Sequence, residues 1–445
     1  MIFLCTFMNL ERRVVVTGVG VCTPLGRDIY TLWKNLVDGQ TSIRDVTDTH
    51  PYMRNFKVRI GSFFPHFEID CDKTGIDFKT ARRMCENSAI ALEATDEALR
   101  MSGILDIKNY GENMGVSIGA GYGGLKAIEE AVLKSKEDGM ARVDKMIAAK
   151  SLPASAASTI ALRFGLHGPN YGSVSACASG ADNIIRAYSA IKMNDCDIML
   201  GGGSGEISSL IPSGFGNLGA LSTRNDEPGK ASRPFDRDRD GFVIGEGAGV
   251  LVLEELEHAK ERNAPILAEL LSYAGNSDAY HLTAPREDGI YAVKAMREAI
   301  RRAGINPFDI DYVNTHGTST PHNDRIESMV LREVFGDYAG RLVEENSKVV
   351  NKSRKNSSYF NSTKSMIGHT LNASAAIEAA VTVWSMKKGL IHPTRNLEHP
   401  DFSNGCDLNY VMKDAVSREI NYALSDAFAF GGRNVFLVFG KYNGK

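Results

Sequence analysis

Short β-branched runs that end in glycine, serine or threonine recur along the chain and alternate with stretches whose apolar residues repeat at i, i+3 and i+4. The first pattern predicts buried strands at 13–17, 114–118, 197–200, 242–253, 266–273, 312–315 and 435–439. The second predicts two helices, one marked by Ala181, Ile184, Ile185, Tyr188 and Ile191, the other by Ala373, Ile377, Ala380, Val381 and Trp384. Strand, tight turn and helix in repeated alternation make an α/β chain. Each helix follows a small-residue turn that carries a reactive side chain, and this likeness predicts a duplicated unit. The charged run at 254–265 gives way to a fresh apolar strand, which places the break there and gives halves of 1–259 and 260–445. One stretch, 341–359, is rich in Lys, Asn, Ser and Glu and reads as an exposed loop rather than a core element.

Hydrophobic residues at 43% and charged residues at 24% exclude a disordered, collagen-like or coiled-coil chain. The net charge of −3 gives no general attraction to nucleic acid or to an anionic membrane, so an acidic partner needs a local basic patch. Seven scattered cysteines with no C-x-x-C pair fit neither a disulfide framework nor a zinc knuckle, and a reducing cytoplasm is the expected setting. No stretch approaches the ~20 apolar residues that span a bilayer. Met1 to Leu10 is apolar but has neither a basic start nor a cleavage site, and Met8 reads as an alternative first residue.

Three segments can carry chemistry. Cys177 sits in Ser-Val-Ser-Ala-Cys-Ala-Ser-Gly, between a strand and the first turn of a helix, where free N–H groups and the helix dipole favour thiolate. A small buried filler is the alternative reading of the same residue. His316 and His369 both lie in Gly/Thr/Ser turns at strand ends, and two such histidines with a thiol suggest a constellation. Lys364 and Glu378 flank His369 and are placed to form a charge pair that holds its turn and sets its proton state. The other histidines considered, at 50, 66, 167, 258, 322, 392 and 399, read as surface residues. In the third segment, Phe428-Ala-Phe430-Gly431-Gly432, the paired glycines permit a hinge that presents an amide to a developing oxyanion.

These segments, with the run from Ser232 to Gly249 and the opening Val-Val-Val-Thr-Gly-Val-Gly, occur in an order that resembles the β-ketoacyl-acyl-carrier-protein synthase family of the thiolase superfamily over essentially the whole chain. The resemblance is to the type II elongation enzymes and to ketosynthase subunits of bacterial type II polyketide synthases. It implies a thiolase-like, duplicated five-layered αβαβα sandwich that acts as an acyltransferase. Cys177 would take an acyl chain from an acyl carrier protein, and the amides of Cys177 and Phe430 would form the oxyanion hole. His316 and His369 would promote decarboxylation of malonyl carrier protein, with Lys364 and Glu378 orienting them. Phe430, with Phe428, Gly431 and Gly432, would gate the pocket, and Thr318 and Thr320 would contact the pantetheine arm. Lys79, Arg82, Arg83 and Arg224 would dock the acidic carrier. No cofactor and no metal are implied, and the expected assembly is a homodimer or a heterodimer with a chain-length-factor homologue.

Three departures from the family pattern stand out: Ala429 in place of a glycine, Arg433 in place of a threonine, and the 341–359 stretch. A methyl at 429 stiffens the hinge if its φ is positive, and a guanidinium at 433 is able to pair with an acid or with a polar acyl intermediate. Asn323 and Asp324 lean towards polyketide subunits, so fatty-acid and polyketide elongation both stay open. Rival readings lack residues. A silent chain-length factor lacks the nucleophile, a degradative thiolase needs a second cysteine closer to the last glycine turn than Cys406, and a chalcone-synthase-like enzyme pairs one histidine with an asparagine. The Gly119–Gly124 run imitates a dinucleotide fingerprint without the second strand and its terminal acid, and His316 with His322 lacks a cysteine to complete a zinc set.

Overall fold

A computed structural model describes residues 12–104 and 107–444, so the alternative start at Met8 lies outside it. Ten strands form one large sheet: β1 Val14–Cys22, β2 Met114–Gly119, β3 Asn170–Tyr171, β4 Ile198–Gly205, β5 Gly247–Glu255, β6 Ala268–Ser277, β7 Tyr312–Asn314, β8 Tyr359–Asn361, β9 Tyr422–Ala429 and β10 Arg433–Gly440. Their order is β8-β7-β9-β10-β6-β1-β5-β4-β2-β3. Read outward from the centre, each half repeats the other strand for strand. β1/β5 and β5/β4 are antiparallel while β4/β2 and β2/β3 are parallel, and β6/β10, β10/β9, β9/β7 and β7/β8 follow the same senses. Within the sheet, among the described residues, the half-sheets are joined by two ladder pairs, Val15 with Glu269 and Val16 with Ala268.

Six helices complete the layers: α1 Glu86–Met101, α2 Ser155–Phe164, α3 Ser179–Lys192, α4 Ile290–Arg302, α5 Pro321–Phe335 and α6 Ser374–Lys388. α1 packs on β1 and β5, and α2 on β2; α4 packs on β6 and β10, with α5 beside it. Between the two half-sheets lie α3, against β4 and β2, and α6, against β5 and β9, in contact with one another. The result is a five-layered αβαβα sandwich. The sequence of α6, Ser-Ala-Ala-Ile-Glu-Ala-Ala-Val-Thr-Val-Trp-Ser-Met, has no polar face, and every one of those side chains is buried. α3 keeps a polar stripe because only its Ile184, Ala187 and Ile191 side faces the core.

The 341–359 stretch is a loop only over 352–358. Leu342–Glu345 and Lys348–Asn351 pair as an antiparallel hairpin whose turn residues, Asn346 and Ser347, both have positive φ, and Leu342 enters the C-terminal core. Val343 and Val350 are paired across it, and the charged neighbours that hid this alternation project to solvent. The strand expected over 242–253 begins at Gly247. Residues 242–246 form isolated bridges instead, Phe242 with Leu221 and Ile244 with His369. Among the described residues no helix is long and apolar enough to cross a membrane.

Candidate active site

The internal repeat brings the reactive turns together. Cys177 lies between β3 and α3, and His369 lies at the matching place between β8 and α6. The first turns of α3 and α6 touch at Gly180, where a Cβ would stand 2.6 Å from the backbone nitrogen of Ala376. That close approach leaves His369 Nε2 3.1 Å from Cys177 Sγ. His316 follows β7, and its ring stands perpendicular to that of His369, with centroids 5.3 Å apart. Each of the three turns holds a non-glycine residue at positive φ: Ala176 at 50°, Ser319 at 69° and Leu371 at 51°. Such conformations cost about 1–3 kcal/mol apiece and persist where surrounding structure enforces them.

Both imidazoles are neutral, and both carry their proton on Nε2. The Leu371 amide donates to His369 Nδ1 at 3.1 Å, and the Ser374 hydroxyl lies 2.8 Å from the same atom. Nδ1 therefore accepts, and the remaining proton sits on Nε2, facing the sulfur. Lys364 Nζ lies 3.2 Å from His316 Nδ1, and an ammonium only donates, so His316 is fixed the same way. Burial, with the Lys364 charge, holds both rings well below the ordinary histidine value. Burial pushes the Cys177 thiol up to about 11. Lys364 and the backbone amides of Phe430 and Cys177 oppose that rise.

Lys364 acts on His369 through its charge, but its hydrogen-bond contact is with the other histidine, His316. β7 and β8 run parallel with Asn314 beside Asn361, so His316, two residues on, comes alongside Lys364, three residues on. Lys364 and Glu378 form a fully buried ion pair, and Glu378 is raised to about 7 by burial despite the lysine. The His316 turn has a second anchor that the sequence did not announce. The His316 amide donates to both Glu327 (2.7 Å) and Asp426 (2.6 Å), and the Gly317 amide donates to Glu327 (2.8 Å). Burial raises both acids, and Glu327 keeps its proton longest because Asp426 lies against it.

A cavity of about 350 Å³ opens onto this cluster, lined by Cys177, His316, His369, Thr318, Thr320, Phe428 and Phe430, with Phe215, Phe242 and Leu371 as its apolar wall. The Thr318 and Thr320 hydroxyls are 2.9 Å apart. Phe430, Gly431 and Gly432 form the three-residue turn between β9 and β10, with φ of 83° and 71° at the glycines, and the Phe430 ring lies 5.7 Å from that of Phe215. Ala429 is an ordinary strand residue paired with Arg433 and is not among the positive-φ residues, so its methyl adds no strain. Arg433 pairs with an acid, Asp182, through two contacts of 2.6 and 3.0 Å.

Of the basic residues, Arg224 approaches the cavity rim, 3.8 Å from the rim residue Asp240. Lys79, Arg82 and Arg83 are exposed on the helix Phe78–Ala81 and just past it, and none of them lines the cavity. His392, expected on the surface, is fully buried between Thr363 and the Pro393 carbonyl and pulled down to about 4 by burial. Its strand, Leu390–Ile391, carries it under the edge of Trp33. Cys406 is enclosed with Ser328 in the C-terminal core, away from the cavity. Within Gly119–Gly124, Gly121 lies so close to Asn372 of the His369 turn that a Cβ would sit 2.0 Å from the amide, which accounts for a glycine there without a nucleotide.

Sequence profiles of the β-ketoacyl synthase N-terminal and C-terminal domains match residues 11–259 and 267–398. The chain is 40% identical over 432 residues to 3-oxoacyl-[acyl-carrier-protein] synthase 2 of Vibrio harveyi, covering 97% of this chain and 99% of that protein. Among solved structures, a β-ketoacyl synthase from Burkholderia phymatum superposes with a TM-score of 0.86 at 35% identity, over 97% of this chain and all of that one. AntDE:AntF, a type II polyketide synthase acyl-carrier protein in complex with its ketosynthase bound to the hexaketide, gives 0.84 at 30% identity, over 97% of this chain and all of the matched one.

Proposed function

The chain belongs to the β-ketoacyl synthase family, and on that premise we propose that it is a 3-oxoacyl-[acyl-carrier-protein] synthase that extends a Cys177-bound acyl chain by two carbons in fatty-acid elongation. The observation that carries this reading is the placing of one thiol beside two neutral imidazoles that both present Nε2–H to the same cavity. Neither ring is set up to take a proton at Nε2. Both are set up to donate to an oxygen that gains negative charge.

Cys177 gives up its proton to solvent and the thiolate attacks the thioester carbonyl of an acyl carrier protein; the oxyanion rests on the Cys177 and Phe430 amides, and the pantetheine thiolate leaves and takes up a proton. Malonyl carrier protein then binds, and its carboxylate departs as carbon dioxide into the apolar surroundings of Phe215, Phe242 and Phe428. The electron pair left behind forms an enolate whose oxygen accepts from His316 and His369. The enolate carbon attacks the Cys177 thioester, and collapse of that adduct frees the thiolate and a 3-oxoacyl chain on the carrier. No redox equivalent is consumed, so this chemistry calls for no redox cofactor.

Thr318 and Thr320 are proposed to meet the pantetheine arm, and Phe430 to gate the pocket on the flexible Gly431-Gly432 pair. Lys79, Arg82, Arg83 and Arg224 are proposed to dock the acidic carrier, with their main effect on encounter rate. The AntDE:AntF complex, an acyl-carrier protein with its ketosynthase, supports a carrier protein as partner. A cytoplasmic homodimer suits the fatty-acid reading. Incubation with an acyl carrier protein should add one acyl mass to the Cys177 peptide and none in Cys177→Ala; equal label in the variant refutes the assignment.

A further inference from the structure

Cys177 and Phe430 line one cavity from different halves of the molecule, and the backbone amides of both favour the thiolate. One amide belongs to Cys177, just before α3; the other belongs to Phe430, in a turn tied to the 278–282 stretch, where the Gly431 amide donates to the Leu282 carbonyl and the Asp278 amide donates to the Gly432 carbonyl, both at 2.7 Å, and neither bond reaches α3. The separation of the Cys177 and Phe430 amides decides whether both N–H groups reach one atom, so some contact has to hold the turn against the helix. Arg433 closes that turn, three residues past Phe430 and paired across the hairpin with Ala429. Asp182 sits in the first turn of α3, five residues past Cys177. Their contact is a two-point fork, Nε to Oδ2 at 3.0 Å and Nη2 to Oδ1 at 2.6 Å, which fixes direction as well as distance. The Asp182 side chain is only 11% exposed, against 41% for Arg433, so the fork is less open to water than a free surface pair.

We propose that the Asp182–Arg433 pair is a clasp that holds the Phe430 amide on the Cys177 sulfur, which makes Asp182 and Arg433 positioning residues for the acyl-transfer step. The oxyanion role of those amides rests on the reading given above. Their effect on the thiolate does not depend on it and provides an independent test.

Alkylation of Cys177 by iodoacetamide, followed on the Cys177 peptide of the full-length protein from pH 7 to 10, reads thiolate stability without any carrier protein. Arg433→Ala and Asp182→Ala should each slow alkylation at a given pH about fivefold, the effect of one ordinary hydrogen bond. Each should also move the rise in rate to higher pH, and the double variant should be no slower than either single one. Arg433→Lys, which keeps the charge but loses the fork, should fall between wild type and Arg433→Ala. Wild-type profiles in the single variants, or losses that add in the double variant, overturn the clasp, as does a lowered unfolding temperature with an unaltered profile. Absence of an acyl label in the wild type would instead count against the proposed function, so the two failures are distinguishable.

Discussion

At the scale of single residues, the central feature is which ring nitrogen carries a proton. His369 is held by the Leu371 amide and the Ser374 hydroxyl, and His316 by Lys364. Ser374→Ala removes one of the two partners at His369 Nδ1 and leaves the amide, so carbon dioxide release from malonyl carrier protein should slow about fivefold while acylation of Cys177 stays within about twofold. Equal loss in both steps would assign Ser374 a general packing role. Cys177, His316 and His369 are legible in the sequence because each stands in a small-residue turn at a strand end, where a reactive group needs room. Ser374, Glu327 and Asp426 are not, because a hydroxyl or a carboxyl inside a helix or strand has no local signature, and its partner is chosen by tertiary contact. His392 escapes for the same reason: a polar neighbourhood in sequence says little about what packs over it.

At the scale of elements, the decisive contact is between the N-terminal turns of α3 and α6. Gly180→Ala puts a methyl against the Ala376 backbone, which a flexible side chain cannot relieve. The variant should lose about 1–3 kcal/mol of stability and, by parting the two turns, acylate at least tenfold more slowly. A variant that loses stability but acylates at the wild-type rate would show that the helix contact does not set the site. The two helices are readable from their i, i+3, i+4 spacing, but the complete burial of α6 is not. The 342–351 hairpin is not readable either, since four short strand residues on each side of an Asn-Ser turn, interleaved with charges, carry the composition of a loop. The repeated strand order, which makes the pseudo-symmetric site intelligible, also lies beyond any local pattern, because β3 and β8 are only two and three residues long.

At the scale of the whole molecule, buried ionisable groups dominate the response to pH. Burial raises Glu97 and Glu206 to about 7 and Glu246 to about 8 from an ordinary 4.5. The stability these groups contribute is full below pH 4.5 and is lost as pH rises through 7 to 8. His50 and His392, pulled from 6.5 to about 4, contribute above pH 6.5 and lose that contribution as pH falls towards 4. Between pH 6.5 and 8.5 the carboxyl effect is joined by His258, which its hydrogen bond to Glu254 raises above 6.5 and whose contribution is also lost as pH rises, so the unfolding midpoint should fall across that window by ~2 °C or more, and Glu246→Gln should flatten the fall. A midpoint that climbs over the same range would contradict this balance. The active site is itself a property of the whole molecule, with the nucleophile from one half and both imidazoles from the other. Its central claim is that the imidazoles act on the enolate and the sulfur on the acyl chain. The most direct test is His316→Ala, which does not touch the sulfur, with Cys177 acylation and carbon dioxide release measured on the same preparation. Acylation within about threefold of wild type with release slowed about 100-fold is the predicted result; release at the wild-type rate from an acylated enzyme would contradict it.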